Sequence, residues 1–298
     1  MFDFFVKKGA SLELAELMLE LMSTVSEISH LVKTGSTGKA GTHNVFGDAQ
    51  VVLDVEAEKM LEDYLDHCPF VATYGSEELE ELRVTKHVEG KYSVFFDPID
   101  GSSLVDVNFS VGTILGIYEG ANVLGRTARE QVAAMVAVYG PRTTLLVTLG
   151  QGVHEFTWDG NVWHLTAEKM TLHGDAKYFA PGNLKAAKDR EDYAKLVDFY
   201  IQNQYTLRYS GGMVPDVNHI LKKGAGVFMY PGMPSHPTGK LRLLYECGPM
   251  AFLMEQAGGA ASNGEKPILD LVIESLTQTS PIFIGQKEEV ERCEKWLS

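Results

Sequence analysis

"FFDPIDGSSLVD", Phe95 to Asp106, sets two carboxylates three residues apart, Asp97 and Asp100, and follows them at once with Gly101, Ser102 and Ser103. The two phenylalanines suit a core strand, but packing has no use for the polar order behind them. Pro98 has no N–H to give to regular strand pairing, so the strand is expected to end in Asp97–Asp100 and turn through Gly101. That turn brings both carboxylates toward one point in front of a sheet edge. Such oxygens suit a hard cation such as Mg²⁺, and a backbone carbonyl within the turn can add another ligand. Gly101 allows close approach to a ligand, and a helix or tight turn after it makes the amides near Ser102 and Ser103 an anion cradle. The plainer alternative is an Asx-rich turn capping a helix, which accounts for one Asp and one Ser but poorly for the full combination.

Outward from this stretch the chain is rich in strands. "KYSVFF", "GTILGIY", "AAMVAVYG" and "TTLLVTLG" are apolar or β-branched runs broken by glycine, and "GVHEFTWDGNVWHL" reads as a hairpin about Asp159-Gly160. Before them, "SLELAELMLELMSTVSEISHLVK" repeats apolar residues at spacings of three and four, the signature of a packed helix. "VVLDVEAEKMLEDYL" is a second helix with Asp54 near its start, where an acid is favoured. The Gly-containing stretch between them, "TGSTGKAGTHNVFGD", reads as a ligand-dependent loop. Beyond the strands, "NLKAAKDREDYAKLVDFYIQ", "DVNHILKK", "CGPMAFLMEQAGG" and "KEEVERCEKWL" read as helices, with "GVFMYP" and "PIFIG" as strands.

Composition limits the function. With 298 residues, 45% of them hydrophobic, the chain can bury a large core. A net charge of -14 without a Lys/Arg block argues against nucleic acid or an anionic membrane as partner. It would also repel a phosphorylated substrate unless the site supplies cations. Three widely spaced cysteines, Cys68, Cys247 and Cys293, fit a reducing compartment better than a disulfide scaffold. With no leader or membrane-spanning run in view, the cytoplasm is the expected location.

Further acids and bases can complete a site. "TYGSEELEEL" offers Glu77 and Glu78, the second placed to manage a water proton if the first reaches the cations. Each alone could equally be a solvated surface acid. Asp48 and Asp54 bracket a segment that could close over substrate, and Glu246 is a lone charge among apolar neighbours that needs a partner. Arg208, Tyr209, Tyr230, Lys240 and Arg242 could bind phosphates by charge-assisted hydrogen bonds. Surface ion pairs and core rings are the alternatives for them.

Together "DPIDGSS", "GSEE", "NVFGDAQVVLDV", "RYSGGMVPDV" and "GKLRLLYECGPMAFLMEQAGG" resemble the class I fructose-1,6-bisphosphatase and sedoheptulose-1,7-bisphosphatase family, from about residue 12 to residue 285. The resemblance implies an α/β fold layered αβαβα, two mixed sheets between helices. It implies a metal- and phosphate-binding lobe over 1–174 and a sugar- and distal-phosphate-binding lobe over 175–298, in a homodimer or homotetramer. The implied reaction is hydrolysis of a sugar 1-phosphate by water activated by two or more Mg²⁺, with Mn²⁺ as a substitute. Glu77, Asp97, Asp100, Glu246 and the Ile99 carbonyl match metal ligands. Asp54 and Glu78 match acids that orient or deprotonate the water, and Asp48 a supporting loop acid. Gly101, Ser102 with its neighbour Ser103, and Arg242 fall near the reacting phosphate. Tyr209, Tyr230 and Lys240 fall at the distal phosphate, Met213 at the sugar, and Arg208 at a position that can cross a dimer interface.

"FAPGN", with its neighbouring stretches, is more similar to the sedoheptulose branch. It puts Gly182 where an Asn usually meets the distal phosphate, which would open room for a longer sugar, with Asn183 as a compensating contact. The expected substrate is therefore sedoheptulose 1,7-bisphosphate, with activity also on fructose 1,6-bisphosphate. A fructose-1,6-bisphosphatase of gluconeogenesis is the alternative, and an inositol-type monophosphatase or a non-enzymatic sugar-phosphate sensor are remoter ones. The resemblance does not extend to the N-terminal Thr-Gly-Glu loop of AMP-regulated relatives, although Lys91-Tyr92 matches another part of that site. Nor does it reach the paired regulatory cysteines of plastid enzymes.

Overall fold

The computed structural model describes residues 1–43, 49–175 and 177–297. Helices α1 (Phe2–Lys7) and α2 (Leu12–Thr34) open the chain, and Ser11 caps α2 by accepting the Leu14 N–H at 3.1 Å. An antiparallel pair, β1 (Lys39–His43) and β2 (Ala49–Val51), leads into α3 (Val52–Leu65). Eight strands follow: β3 (Val71–Ser76), β4 (Arg83–Val84), β5 (Tyr92–Asp100), β6 (Val111–Glu119), β7 (Gln131–Tyr139), β8 (Thr143–Thr148), β9 (Val153–Trp158) and β10 (Trp163–Met170). They form one sheet in the order β10-β9-β8-β7-β6-β5-β3-β4, in which only β3 and β5 run parallel.

The rest of the chain builds a second mixed sheet from β11 (Tyr178–Pro181), β12 (Thr206–Leu207), β13 (Val227–Tyr230), β14 (Ala260–Ser262) and β15 (Ile282–Gly285). Its order is β12-β11-β13-β15-β14, parallel as far as β13 and antiparallel beyond. Helices α4 (Glu191–Gln202), α5 (Met213–Lys223), α6 (Gly248–Gln256) and α7 (Lys287–Leu297) complete the fold.

Strand alternation sorts these elements into layers. Val94 and Phe96 of β5 face a core shared with α2 and α3, whereas Phe95 between them faces α5 and α6. On β13, Phe228 looks into that same middle core while Val227 and Met229 look outward to Tyr193, Tyr200 and Val290 of α4 and α7. The result is helix, sheet, helix, sheet, helix. No helix among the described residues is long and apolar enough to cross a membrane.

β5 ends at Asp100 and the chain turns through Gly101, as expected, and Pro98 interrupts regular pairing with β6 by a bulge, in which Asp97 faces Ile114 and Asp100 faces Gly112. The bulge absorbs the missing donor, and the Pro98 carbonyl accepts the Thr113 hydroxyl at 2.7 Å instead. One local reading is corrected: the helix expected over 183–202 splits, because a 3₁₀ turn over Leu184–Lys188 precedes α4.

Candidate active site

Where the bulged end of β5 meets β3, the start of α3 and the start of α5, the molecule encloses a cavity of about 410 Å³. Asp97 and Asp100 both reach it because the bulge departs from strict alternation. Glu77 joins them from the turn after β3, and Glu246 from a π-type turn, Leu243–Cys247, that feeds α6. Glu77, Asp97 and Glu246 each bring a carboxylate oxygen within 4.8 Å of the other two. Like charges packed so closely and out of water oppose ionisation. Burial, and then the charge of Glu77, holds both the Asp97 and the Glu246 carboxyls far above the usual range. Arg242 opposes this in part: its N–H donates to Glu246 Oε2 at 2.5 Å, and its guanidinium Nε lies 3.9 Å from Glu77 Oε1.

Asp100 has a second engagement. Its Oδ2 accepts the Val214 N–H at 2.7 Å, tying the start of α5 to the bulge, yet burial still pushes its carboxyl up to about 6. Asp54, in the first turn of α3, is likewise pushed up to about 6 by burial. The Val51 N–H, 3.2 Å from Oδ2, and a hydrogen bond with the Ser102 side chain work against that shift, and the charge of Glu78 works with it. Buried, mutually repelling oxygen donors are what a hard divalent cation stabilises, and the donor set here fits one.

The phosphate-facing features lie beside the acids. Gly101 takes φ 79°, the left-handed region where a side chain is strained, and the chain continues into a 3₁₀ turn at Ser102–Leu104. Gly101, Ser102, Ser103 and Ile99 all line the cavity, as do Met213 and Tyr230. So does Glu78.

Other expected residues are not in the wall. The Asn183 amide donates to the Pro231 carbonyl at 3.0 Å and toward Met233 Sδ at 3.6 Å, so its donors are engaged within the protein. Arg208 stacks over Tyr178 with its guanidinium 5.5 Å from the ring centroid, Tyr209 is 54% exposed, and Lys240 is exposed. Asp48 lies outside the described residues.

Gly182 is in the wall but opens no room. A Cβ there would lie 2.6 Å from Phe228 Cζ and 3.0 Å from Tyr230 Cδ2, so the space is already filled by rings. Phe228, Leu241, Gly211 and Gly212 line the cavity without having been read from sequence. Alternation was the available signal for Phe228, which stands two residues before Tyr230 on one strand face.

Known families match this architecture across the chain. Residues 5–168 match the fructose-1-6-bisphosphatase N-terminal domain and residues 172–298 the C-terminal domain. A class 1 fructose-1,6-bisphosphatase of Pelobacter propionicus is 44% identical, covering 96% of this chain and 88% of that one. The chloroplastic sedoheptulose-1,7-bisphosphatase of Spinacia oleracea is 43% identical over 99% of this chain and 77% of its own. The crystal structure of Leishmania major fructose-1,6-bisphosphatase in holo form superposes with a TM-score of 0.94 at 31% identity, covering 100% of this chain and 98% of that one. An acid cluster of this kind, carried on a chain so similar throughout, leaves one conclusion: the chain belongs to the class I fructose-1,6-bisphosphatase and sedoheptulose-1,7-bisphosphatase family and is a sugar-bisphosphate phosphatase.

Proposed function

We propose that the chain hydrolyses the 1-phosphate of fructose 1,6-bisphosphate, giving fructose 6-phosphate and inorganic phosphate, with Mg²⁺ as its divalent ion. The observation that carries this is the set of buried, mutually repelling carboxyls beside a Gly-Ser-Ser turn at one end of a cavity. Glu77, Asp97, Asp100, Glu246 and the Ile99 carbonyl would hold the ions. Once bound, Mg²⁺ neutralises phosphoryl charge and lowers the pKa of a water.

The remaining steps belong to side chains and amides of the protein. Backbone amides around Ser102 and Ser103 cradle the phosphoryl oxygens, and Arg242 holds charge balance beside Glu77. Asp54 and Glu78 orient the attacking water and take its proton as its oxygen bonds to phosphorus and the bond to the sugar oxygen breaks. That sugar oxygen leaves with the bonding electron pair and takes a proton from solvent water. Met213 contacts the sugar, and Tyr230 receives the distal phosphate. Tyr209 and Lys240 reach that phosphate from the rim, Arg208 from a second subunit of a homodimer or homotetramer, and Asp48 supports the acids. Three free, buried cysteines favour a reducing compartment such as the cytoplasm.

The preference for a seven-carbon sugar rested on the likeness of "FAPGN" and other stretches to the sedoheptulose branch, and the room it implied at Gly182 is occupied by the rings of Phe228 and Tyr230. That packing, and relatives named as class 1 fructose-1,6-bisphosphatases at 44–45% identity, support the six-carbon reading. The spinach relative keeps sedoheptulose 1,7-bisphosphate as a second reading. Phosphate release should be measured on both bisphosphates and on a sugar 1-monophosphate, with Mg²⁺ and with chelator. The expected order of kcat/KM is fructose bisphosphate first and the monophosphate last, with no release under chelation. A seven-carbon preference of about tenfold, or 1.4 kcal/mol of transition-state binding, overturns the substrate choice, and release that survives chelation overturns the metal reading.

A further inference from the structure

Behind the cavity, Glu58 is a buried acid that the proposed chemistry does not use. It lies one helical turn after Asp54 on α3, on the same face, and is 8% exposed. Its Oε2 accepts the Ser76 hydroxyl at 2.6 Å, and the Ser76 Oγ in turn accepts the Glu78 N–H at 3.2 Å. The Leu79 N–H closes on the Ser76 carbonyl at 3.2 Å, while the Glu77 N–H still pairs with the Phe96 carbonyl at 3.1 Å.

This turn solves a geometric problem. Neighbours on an extended strand point to opposite faces, yet Glu77 and Glu78 both line the cavity. The side-chain bond from Ser76 to the amide two residues on bends the chain at the end of β3 so that both acids face inward. Ser76 is fully buried, so its hydroxyl depends on protein partners. Its single O–H is committed to Glu58, which leaves the oxygen lone pairs turned to Glu78.

We propose that Glu58 is a positioning residue: by taking the Ser76 hydroxyl it fixes the Ser76–Leu79 turn and so aims the Glu78 carboxylate at the attacking water. The inference rests on the role given to Glu78 above. Burial pushes the Glu58 carboxyl up to about 8, so the acceptor places little second charge behind Glu78. Geometry alone carries the assignment.

The test uses the full chain with Glu58→Leu, Glu58→Gln, Ser76→Ala and the double variant Glu58→Leu/Ser76→Ala. With fructose 1,6-bisphosphate and saturating Mg²⁺, Glu58→Leu and Ser76→Ala should each lower kcat about tenfold to hundredfold, the scale of a misaimed catalytic group. KM should stay within about twofold. Glu58→Gln, which keeps an acceptor of the same size, should restore kcat, and the double variant should be no slower than the worse single one. Backbone amide exchange at 77–79 gives a second readout that needs no turnover: faster in Glu58→Leu and Ser76→Ala, restored in Glu58→Gln. Unchanged exchange in Glu58→Leu, a Glu58→Gln variant as slow as Glu58→Leu, or additive losses in the double variant would each overturn the inference. A wild-type chain that releases no phosphate while its exchange pattern follows expectation would overturn the reaction and leave the turn assignment standing.

Discussion

Asp100 serves two partners with one carboxylate: Oδ2 accepts the Val214 N–H that docks α5, and the buried charge contributes to the cation donor set. Asn in its place keeps an acceptor for Val214 and removes the charge. Asp100→Asn should therefore fold normally, with phosphate release reduced about a hundredfold or more and only partly recovered at high Mg²⁺, as for a lost hard-oxygen ligand. A titration of activity against Mg²⁺ decides this, and wild-type turnover at ordinary Mg²⁺ would take Asp100 out of the cation set. Glu78→Gln asks a different question of a neighbouring acid. If Glu78 handles the water proton, saturated turnover should fall by about 10² or more while the Mg²⁺ concentration at half-activity stays put. The opposite pattern, weaker Mg²⁺ response with unchanged saturated turnover, would make Glu78 a ligand instead.

Among the elements, β5 to β8 were legible because each is an apolar run closed by glycine or a turn, β9 and the start of β10 because they read as a hairpin about Asp159-Gly160, and "DPIDGSS" because packing cannot explain it. β3 was not, since in "VATYGS" the small and polar residues Ala72, Thr73, Gly75 and Ser76 leave neither an apolar run nor an alternation. The bulge was missed because Pro98 removes a donor in either case, and only the partner strand decides whether pairing stops or steps over it. The Asn183 contact was not legible for a similar reason: an amide beside a glycine can turn toward a ligand or a carbonyl, and here Pro231 lies in reach. The wall between β11 and β13 yields its own prediction. A side chain at Gly182 must displace Phe228, whose ring would lie 2.6 Å from the new Cβ and which is 2% exposed. Gly182→Ala should cost about 1–3 kcal/mol as an overpacked core does, a fall of several degrees in Tm for a chain of this size. Gly182→Ala combined with Phe228→Leu should recover part of that loss in thermal melts. A Gly182→Ala variant as stable as wild type would mean that β11 can move away from the ring, and would reopen the cavity to a longer sugar.

For the whole molecule, the acid cluster joins three of the five layers: Asp54 comes from a helix outside the first sheet, Asp97 and Asp100 from that sheet, and Glu246 from the turn into α6 between the sheets. Its electrostatics therefore bear on the stability of the entire fold. Asp54 and Asp100 are raised to about 6 by burial, and Asp97 and Glu246 go well above their ordinary values through burial and the charges around them. A carboxyl raised in the folded state binds its proton more tightly there than in the unfolded chain. Its contribution to stability is complete below the unfolded pKa near 4 and is lost as pH rises through the folded value. For Asp54 and Asp100 that window is roughly pH 4 to 6, and for Asp97 and Glu246 it extends further up. Protein stripped of divalent ions should consequently melt at lower temperature at pH 8 than at pH 5. Asp54 alone gives up about one pKa unit over that interval, roughly 1.4 kcal/mol. Mg²⁺ binds the ionised cluster and stabilises the folded state by mass action, so it should raise Tm more at pH 8 than at pH 5. In Asp97→Asn, which removes one of the repelling charges, both the pH dependence and the Mg²⁺ effect should shrink. Melting curves of chelated and Mg²⁺-loaded protein at the two pH values measure this directly. An equal Mg²⁺ effect at both, or a chelated protein that is more stable at pH 8, would show that the cluster is not held together by cations.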